Sequence, residues 1–113
     1  MEIFEYKNYK VVADSWENYR SWGHTATLFR DNRELTKSRI RYLNRTWEYY
    51  RYQSVILDAI YEAIKRRQSR LVEDYKLSTG AIRTTKHTKE KLFNKDEEIN
   101  ELNELYNHFK ENR

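Results

Sequence analysis

One stretch near the middle of the chain sets the terms for the rest. Trp47, Tyr50, Ser54, Leu57, Tyr61, Ile64, Gln68, Leu71 and Tyr75 are separated by steps that alternate three, four, three, four. That is the spacing of one face of an α-helix that lies along another helix. A second row, Tyr49, Ile56, Ala59, Ile60 and Ala63, widens the apolar face of the first half. The second half carries Lys65, Arg66, Arg67 and Arg70 instead. The spacing predicts a helix from Trp47 to about Lys76, capped by Asn44 or Thr46, with a start that fills a core and a charged end. At about 1.5 Å per residue it is roughly 45 Å long, so its far half must project past a sheet of short strands.

The chain ahead of this helix changes period. Leu35 to Tyr42 alternates, with Lys37, Arg39 and Arg41 on one face and Ser38, Ile40 and Tyr42 on the other. His24 to Arg30, rich in threonine, forms the opposing strand, and Asp31-Asn32-Arg33-Glu34 is the polar turn between them. Ile40 and Tyr42 are expected to face the long helix, and the three basic residues to face solvent or a partner. Ile3 to Tyr6 and Lys10 to Ala13 read as short strands, whereas Asp14 to Asn18 suits a helical turn or a loop. The aromatics Phe4, Tyr6, Tyr9, Trp16, Tyr19 and Trp22 are read first as cover for the sheet.

Behind the long helix, Gly80 is a plausible stop. Thr88 is a plausible cap for a second helix, in which Leu92, Ile99, Leu102, Tyr106 and Phe109 keep helical spacing. The fold class expected is therefore α+β: a small antiparallel sheet packed on one long helix, with a C-terminal antiparallel helical hairpin. One domain over residues 1–113 is expected, with a sheet-on-helix core at 1–60 and a helical hairpin arm at 61–113. The absence of proline, with only two glycines, fits long uninterrupted elements.

Charge is uneven. Residues 1–50 hold nine basic and seven acidic side chains, residues 51–91 ten and five, and residues 92–113 three and six. Like charges one turn apart on a helix, as in the block from Lys65 to Arg70, repel by a few tenths of a kcal/mol, so something should offset them. Two offsets are open. Phosphates would serve, through charge-assisted contacts. So would the acidic block Asp96, Glu97, Glu98, Glu101 and Glu104. If the helices run antiparallel, facing positions sum to about 164, which sets Arg67 near Glu97, Arg66 near Glu98 and Arg70 near Asn94. The charges would then select the register of the hairpin, or pair two chains in a homodimer.

A second basic group comprises Arg30, Arg33, Lys37, Arg39 and Arg41, with Arg45 and Arg51 nearby and Tyr42, Tyr49, Tyr50 and Tyr52 interleaved. Basic residues among aromatics suit single-stranded nucleic acid, through phosphate attraction and base stacking. A small exposed sheet over a helix has the same composition. Signals for catalysis are sparse. There is no cysteine and no glycine-rich phosphate loop, and His24, His87 and His108 lie far apart. Asp58 and Glu62 are one turn apart, which on an exposed helix is ordinary. The residues point to a non-enzymatic protein without a cofactor. No apolar run is long enough for a membrane span, and the acidic, aromatic start is unlike a targeting segment.

The run Gly23-His24-Thr25-Ala26-Thr27-Leu28-Phe29, followed by Tyr42-Leu43-Asn44-Arg45-Thr46-Trp47-Glu48-Tyr49-Tyr50-Arg51-Tyr52-Gln53, resembles a segment of small, largely uncharacterised proteins from phages and mobile elements of Gram-positive bacteria. The resemblance covers about residues 20–60. It implies an accessory protein of the bacterial host cytoplasm that binds and inhibits a host defence nucleoprotein, with an anti-CRISPR inhibitor of Cas9–guide RNA as the leading expectation. The alternative is a protein of phage metabolism that binds free DNA or RNA. A net charge of +4 makes the chain as a whole a poor mimic of DNA.

Overall fold

A computed structural model describes residues 1–42 and 52–111. The expected cap residues Asn44 and Thr46, together with Trp47, Tyr49 and Tyr50, fall outside the described residues. The fold is α+β, as the two sequence periods require. Four strands, β1 (Glu2–Tyr6), β2 (Tyr9–Glu17), β3 (Trp22–Arg30) and β4 (Arg33–Tyr42), form one antiparallel sheet in the order β1-β2-β3-β4. Three helices follow: α1 (Gln53–Thr79), α2 (Lys86–Lys95) and α3 (Glu97–Glu111).

Each turn of the meander has a local cause. Lys7 takes a positive φ between β1 and β2. Between β2 and β3, the side-chain oxygen of Asn18 accepts from the backbone N–H groups of Arg20 and Ser21 and from the Ser21 hydroxyl. The β3–β4 turn has only two residues, not the four expected. Asp31 and Asn32 have φ of 50° and 65°, a geometry that matches the twist of a hairpin and that Asp and Asn tolerate. Arg33 therefore already pairs with Arg30. Leu28 pairs with Thr36 but Phe29 with Glu34, so Leu35 is the extra residue of a β-bulge.

Alternation puts Tyr9, Val11, Ala13, Ala26, Leu28 and Thr36 on the inner face of the sheet, all buried. β2 extends well beyond the expected Lys10 to Ala13, because its hydrogen-bonded pairing with β3 runs to Glu17 opposite Trp22. Asp14 to Glu17 is strand, neither loop nor helical turn. Ile40 packs on the core as expected. Tyr42 and His24 also turn inward, and with Trp22 and Tyr52 they form a ring cluster at one end.

α1 is unbroken through Ile60 and ends where Gly80, at φ 73°, donates its N–H to the Lys76 carbonyl. Its cap position is Tyr52, without a side-chain cap bond. The face it buries is Val55, Ile56, Ala59, Ile60, Ala63 and Ile64. Ile56, Ala59, Ile60 and Ala63 of the second row are thus the core, joined by Val55 and by Ile64 of the three-four row. The rest of the three-four row is its flank, with Tyr61 51% exposed. The Thr36 hydroxyl donates to the Ala59 carbonyl at 2.7 Å and ties sheet to helix.

The second helix expected after the stop is two helices. Thr85, not Thr88, caps α2, accepting from the Thr88 N–H. Asp96 then takes an extended backbone and accepts from the Ile99 N–H at 3.0 Å, which ends α2 and starts α3. α3 runs antiparallel to α1 near the expected reflection: the Gln53 amide donates to the carbonyls of Phe109 and Lys110, satisfying groups the helix end leaves open. Leu102, Leu105 and Phe109 join Tyr9, Val11 and Ile60 in one core, and the Phe4 and Phe109 rings meet edge to face. α3 therefore packs antiparallel to the near half of α1 and over the sheet, with α2 against the far half, which makes the expected C-terminal helical hairpin. No helix among the described residues is long and apolar enough to cross a membrane.

Candidate nucleic-acid interface

The helices cover one face of the sheet. The opposite face follows from the same alternation and register. It presents Ile3 and Glu5 on β1, Lys10, Val12, Asp14 and Trp16 on β2, Thr25, Thr27 and Phe29 on β3, and Lys37, Arg39 and Arg41 on β4. The buried helix residues pack with the inner-face residues, and the side chains of this outer face are exposed or half-buried. Positive charge lies along β4 and at Lys10. The acids Glu5 and Asp14 lie toward the β1 edge, where Asp14 is 3.7 Å from the N-terminal amine.

Two cation–ring pairs organise the face. The Lys10 ammonium sits 5.1 Å from the Phe29 ring centre, and the Arg39 guanidinium 4.0 Å from that of Trp16. The second pair depends on Gly23. Trp16 and Arg41 both pair with Gly23 across the sheet. With no side chain there, the indole lies on the glycine backbone. A Cβ at position 23 would stand 2.7 Å from two atoms of the Trp16 ring and would collide with the Ile40 carbonyl oxygen. Trp16 is thus held between a glycine below and an arginine above.

At the end of the face, Trp16, Asn18, Arg39 and Arg41 line a hollow of about 380 Å³. What they offer is almost entirely donors. The three donors converging on Asn18 identify that atom as its oxygen, so the Asn18 amide group is left to donate outward. Arg41 uses Nε on the Ser21 hydroxyl at 3.1 Å, and among the described residues its two terminal nitrogens have no partner. The Trp16 Nε1 is buried and has no hydrogen-bond partner among the described residues. The exposed donors of Asn18, Arg39 and Arg41 suit a ligand with acceptors, such as a phosphate, and a base would reach the indole face on displacing Arg39.

The sequence-derived site residues that are described separate into three fates. Lys37, Arg39 and Arg41 come together on the open face, all exposed. Arg33 lies at the hairpin end and shares a cleft with Arg66 and Arg70. The others are engaged within the protein. Arg30 is 3.2 Å from Glu101, which also accepts from the Tyr9 hydroxyl at 2.8 Å. Lys65 pairs with Glu62 on its own helix at 3.0 Å. Arg67 does not meet Glu97: it makes two bonds to Asp96, at 3.1 and 2.9 Å, and a third contact to Glu98 at 3.1 Å. The Arg67 hydrogen bonds hold the Asp96 carboxyl below the usual carboxylate range, and Asp96 raises Arg67 in turn. Arg66 donates to the Leu35 carbonyl instead of pairing with Glu98. Arg45 and Arg51 fall outside the described residues.

The aromatic companions of the basic row also differ from expectation. Tyr42 and Tyr52 point into the inner cluster, so Trp16 and Phe29 take that part. Lys10, Trp16, Asn18 and Phe29 are missed as site residues when β2 is read as ending at Ala13. Carrying the period of two from Lys10 to Trp16 would have placed two of them, Lys10 and Trp16, on the face opposite Val11. Asp58 and Glu62 gain no third ligand: among the described residues no three His, Asp or Glu side chains are grouped to hold a metal. No protein-family model matches the chain, and no curated protein or solved structure matches it either.

Proposed function

We propose that this protein is a non-enzymatic binder whose open sheet face seats single-stranded nucleic acid. The observation that carries the reading is the uncovered face itself. It sets three exposed cations of β4 beside a stacked indole and a donor-lined hollow. Phosphates would run along Lys37, Arg39 and Arg41, and a base would stack where Arg39 now covers Trp16. The test is anisotropy of labelled twelve-residue oligo-dT and oligo-U over a salt series. About four phosphate contacts, from Lys10 and the β4 cations, give a slope near −3 in log K against log salt. Reversing Lys37, Arg39 and Arg41 to glutamate should remove about two units of that slope. Unchanged affinity in the triple variant would refute the site.

A narrower reading is favoured by the far end of α1. Beyond the sheet, Leu77 is 81% exposed and Ile82 89%, a second contact surface remote from the basic face. Together with the resemblance to phage and mobile-element proteins, this supports an inhibitor that grips a host nucleoprotein at two points, guide RNA by the sheet and protein by the helix end. Cas9–guide RNA is the target to try first. Purified protein should slow DNA cleavage by that complex, and Leu77→Asp with Ile82→Asp should weaken inhibition while leaving oligonucleotide binding intact. Undiminished cleavage at a tenfold excess of protein would remove Cas9 and leave free nucleic acid as the ligand.

A further inference from the structure

The arginines of α1 leave a charge that the fold does not neutralise. Of the three acids at the α3 start, Arg67 takes Asp96 and Glu98, and the exposed Glu97 pairs with no arginine among the described residues. Its neighbours do not share them. Arg66 gives one N–H to the Leu35 carbonyl, at the bulge where that residue falls out of the strand pairing. Among the described residues neither Arg33 nor Arg70 has a carboxylate partner. These three, with Arg67, border a cleft of about 410 Å³ between the β3–β4 hairpin and α1. Glu34 and Glu98 are its acids, and Glu98 is already committed to Arg67. Ala63 and Leu35 form its apolar floor.

We infer that this cleft is a second phosphate seat, distinct from the sheet face. Arg66 and Arg70 are one helical turn apart and repel each other unless an anion lies between them. Arginine forks match the tetrahedral oxygens of a phosphate, and a planar guanidinium anchored at Leu35 is already oriented for it. The position relative to the first site is informative. The cleft begins at Arg33 and the sheet-face hollow ends at Arg41, on the same strand. Eight residues of strand cover about 26 Å, with Lys37 midway. A polyanion crossing the sheet along β4 would run off its end into the cleft. This extension rests on the proposed nucleic-acid reading, but the seat itself does not, since any phosphorylated compound offers the same oxygens.

The full chain, wild type and Arg66→Gln/Arg70→Gln, should be titrated with a twelve-residue and a four-residue oligo-dT, and separately with inorganic tripolyphosphate while the arginine Nε–H resonances are followed by NMR. Removing two phosphate contacts should reduce the salt slope for the twelve-mer by about 1.4 and weaken it about 25-fold at 0.1 M salt, relative to 1 M. The four-mer, which fits on the sheet face alone, should be unaffected. That pattern assigns the seat to the nucleic-acid backbone. Tripolyphosphate shifts at Arg66 and Arg70, with the twelve-mer indifferent to the substitutions, keep the seat and assign it to a small phosphorylated compound. If Arg39→Gln changes neither oligonucleotide while Arg66→Gln/Arg70→Gln still weakens the twelve-mer, the sheet-face reading fails and the cleft survives. Absence of both the twelve-mer loss and the tripolyphosphate shifts overturns the inference.

Discussion

Replacing Leu105 by alanine tests whether α3 belongs to the sheet core or to a separable arm. The side chain has no exposed surface, and it shares a core with residues of the sheet and of α1. Truncating a fully buried leucine costs about 2.7–5 kcal/mol, the transfer of three carbons plus the cavity left behind. α3 is held at one end by Gln53 and at the other by Arg67, so it has little freedom to collapse into the space. A loss of about 3 kcal/mol is the reasonable middle. At about 2.1 cal/mol/K of unfolding entropy per residue, 113 residues give about 0.24 kcal/mol/K, and the Tm should fall by about 12 °C. Thermal melts followed by far-UV circular dichroism and by tryptophan emission should move together, because a single core unfolds as one unit. Leu77→Ala, at an exposed position of α1, is the control and should stay within about 0.5 kcal/mol of wild type. A Tm change under about 4 °C for Leu105→Ala would refute the shared core. So would a helical signal that melts early while tryptophan emission holds, since α3 would then be a separate unit.

Gly23→Ala should destabilise by about 1–3 kcal/mol, because the added carbon meets a backbone oxygen that cannot swing away, and it should shift tryptophan emission to the red as Trp16 is pushed off its seat; an unshifted emission spectrum would contradict the stacked geometry. Asp96→Asn keeps an acceptor for the Ile99 N–H but removes the charge opposite Arg67, and should cost on the order of 1–2 kcal/mol at pH 7 in urea unfolding. The folded carboxyl of Asp96 titrates below its unfolded value of 3.8, so the unfolded chain binds the proton first as pH falls. The stability from the pair is full above that value and is lost as pH drops through the folded pKa. The gap between wild type and Asp96→Asn should therefore begin to narrow as the pH falls below about 3.8 and keep narrowing until the folded carboxyl is protonated, and a gap that does not narrow at all with falling pH would show that the charge is not its source.

Much of this fold was legible because two periods are written without interruption. From Lys37 to Tyr42 every second residue is basic, and from Val55 to Ile64 the apolar residues recur at helical spacing. The places that resisted reading are those where polar residues do structural work. Asp14 and Ser15 break the apolar alternation of β2, yet the backbone pairing with β3 carries the strand through them. Asn18 closes its turn with one side-chain oxygen, which no periodicity reports. Asp96 ends one helix and caps the next. The signal was present in Asp96-Glu97-Glu98, a cap residue followed by acids in the first turn, but the apolar spacing runs through it undisturbed from Leu92 to Ile99. The open sheet face was half visible. Lys37, Arg39 and Arg41 were on one side by parity alone, whereas Trp16 joins them only through a register that depends on a glycine in the intervening strand.

The division of charge between the two sides of the molecule has a physical logic. The acids of α3 go to the rim of the core. Asp96 and Glu98 take Arg67, Glu101 takes Arg30 and the Tyr9 hydroxyl, and Glu104 takes Lys7 and the Tyr6 hydroxyl. One acidic residue per turn thus fastens the helix over the ends of β1, β2 and β3, which accounts for the register without any partner. Beside β4 this leaves Lys37, Arg39 and Arg41 on the sheet, with Arg33, Arg66 and Arg70 at the hairpin, while a second basic stretch, Lys76, Arg83, Lys86, Lys89, Lys91 and Lys95, runs from the far end of α1 through α2. Solubility alone asks for charge, not for its segregation. Mixed signs on every face would serve it as well. The six cations along β4 and its continuation set a positive field along that edge of the sheet. Such a field draws a polyanion from beyond contact range and loses its reach as the Debye length shrinks to about 10 Å at 0.1 M salt. Association with an anionic strand should then slow steeply with ionic strength, while the dissociation rate, set by the stacked indole and the donor hollow, changes much less. Stopped-flow association that is indifferent to salt between 20 and 200 mM would mean that these cations do not guide the ligand, whatever else they touch.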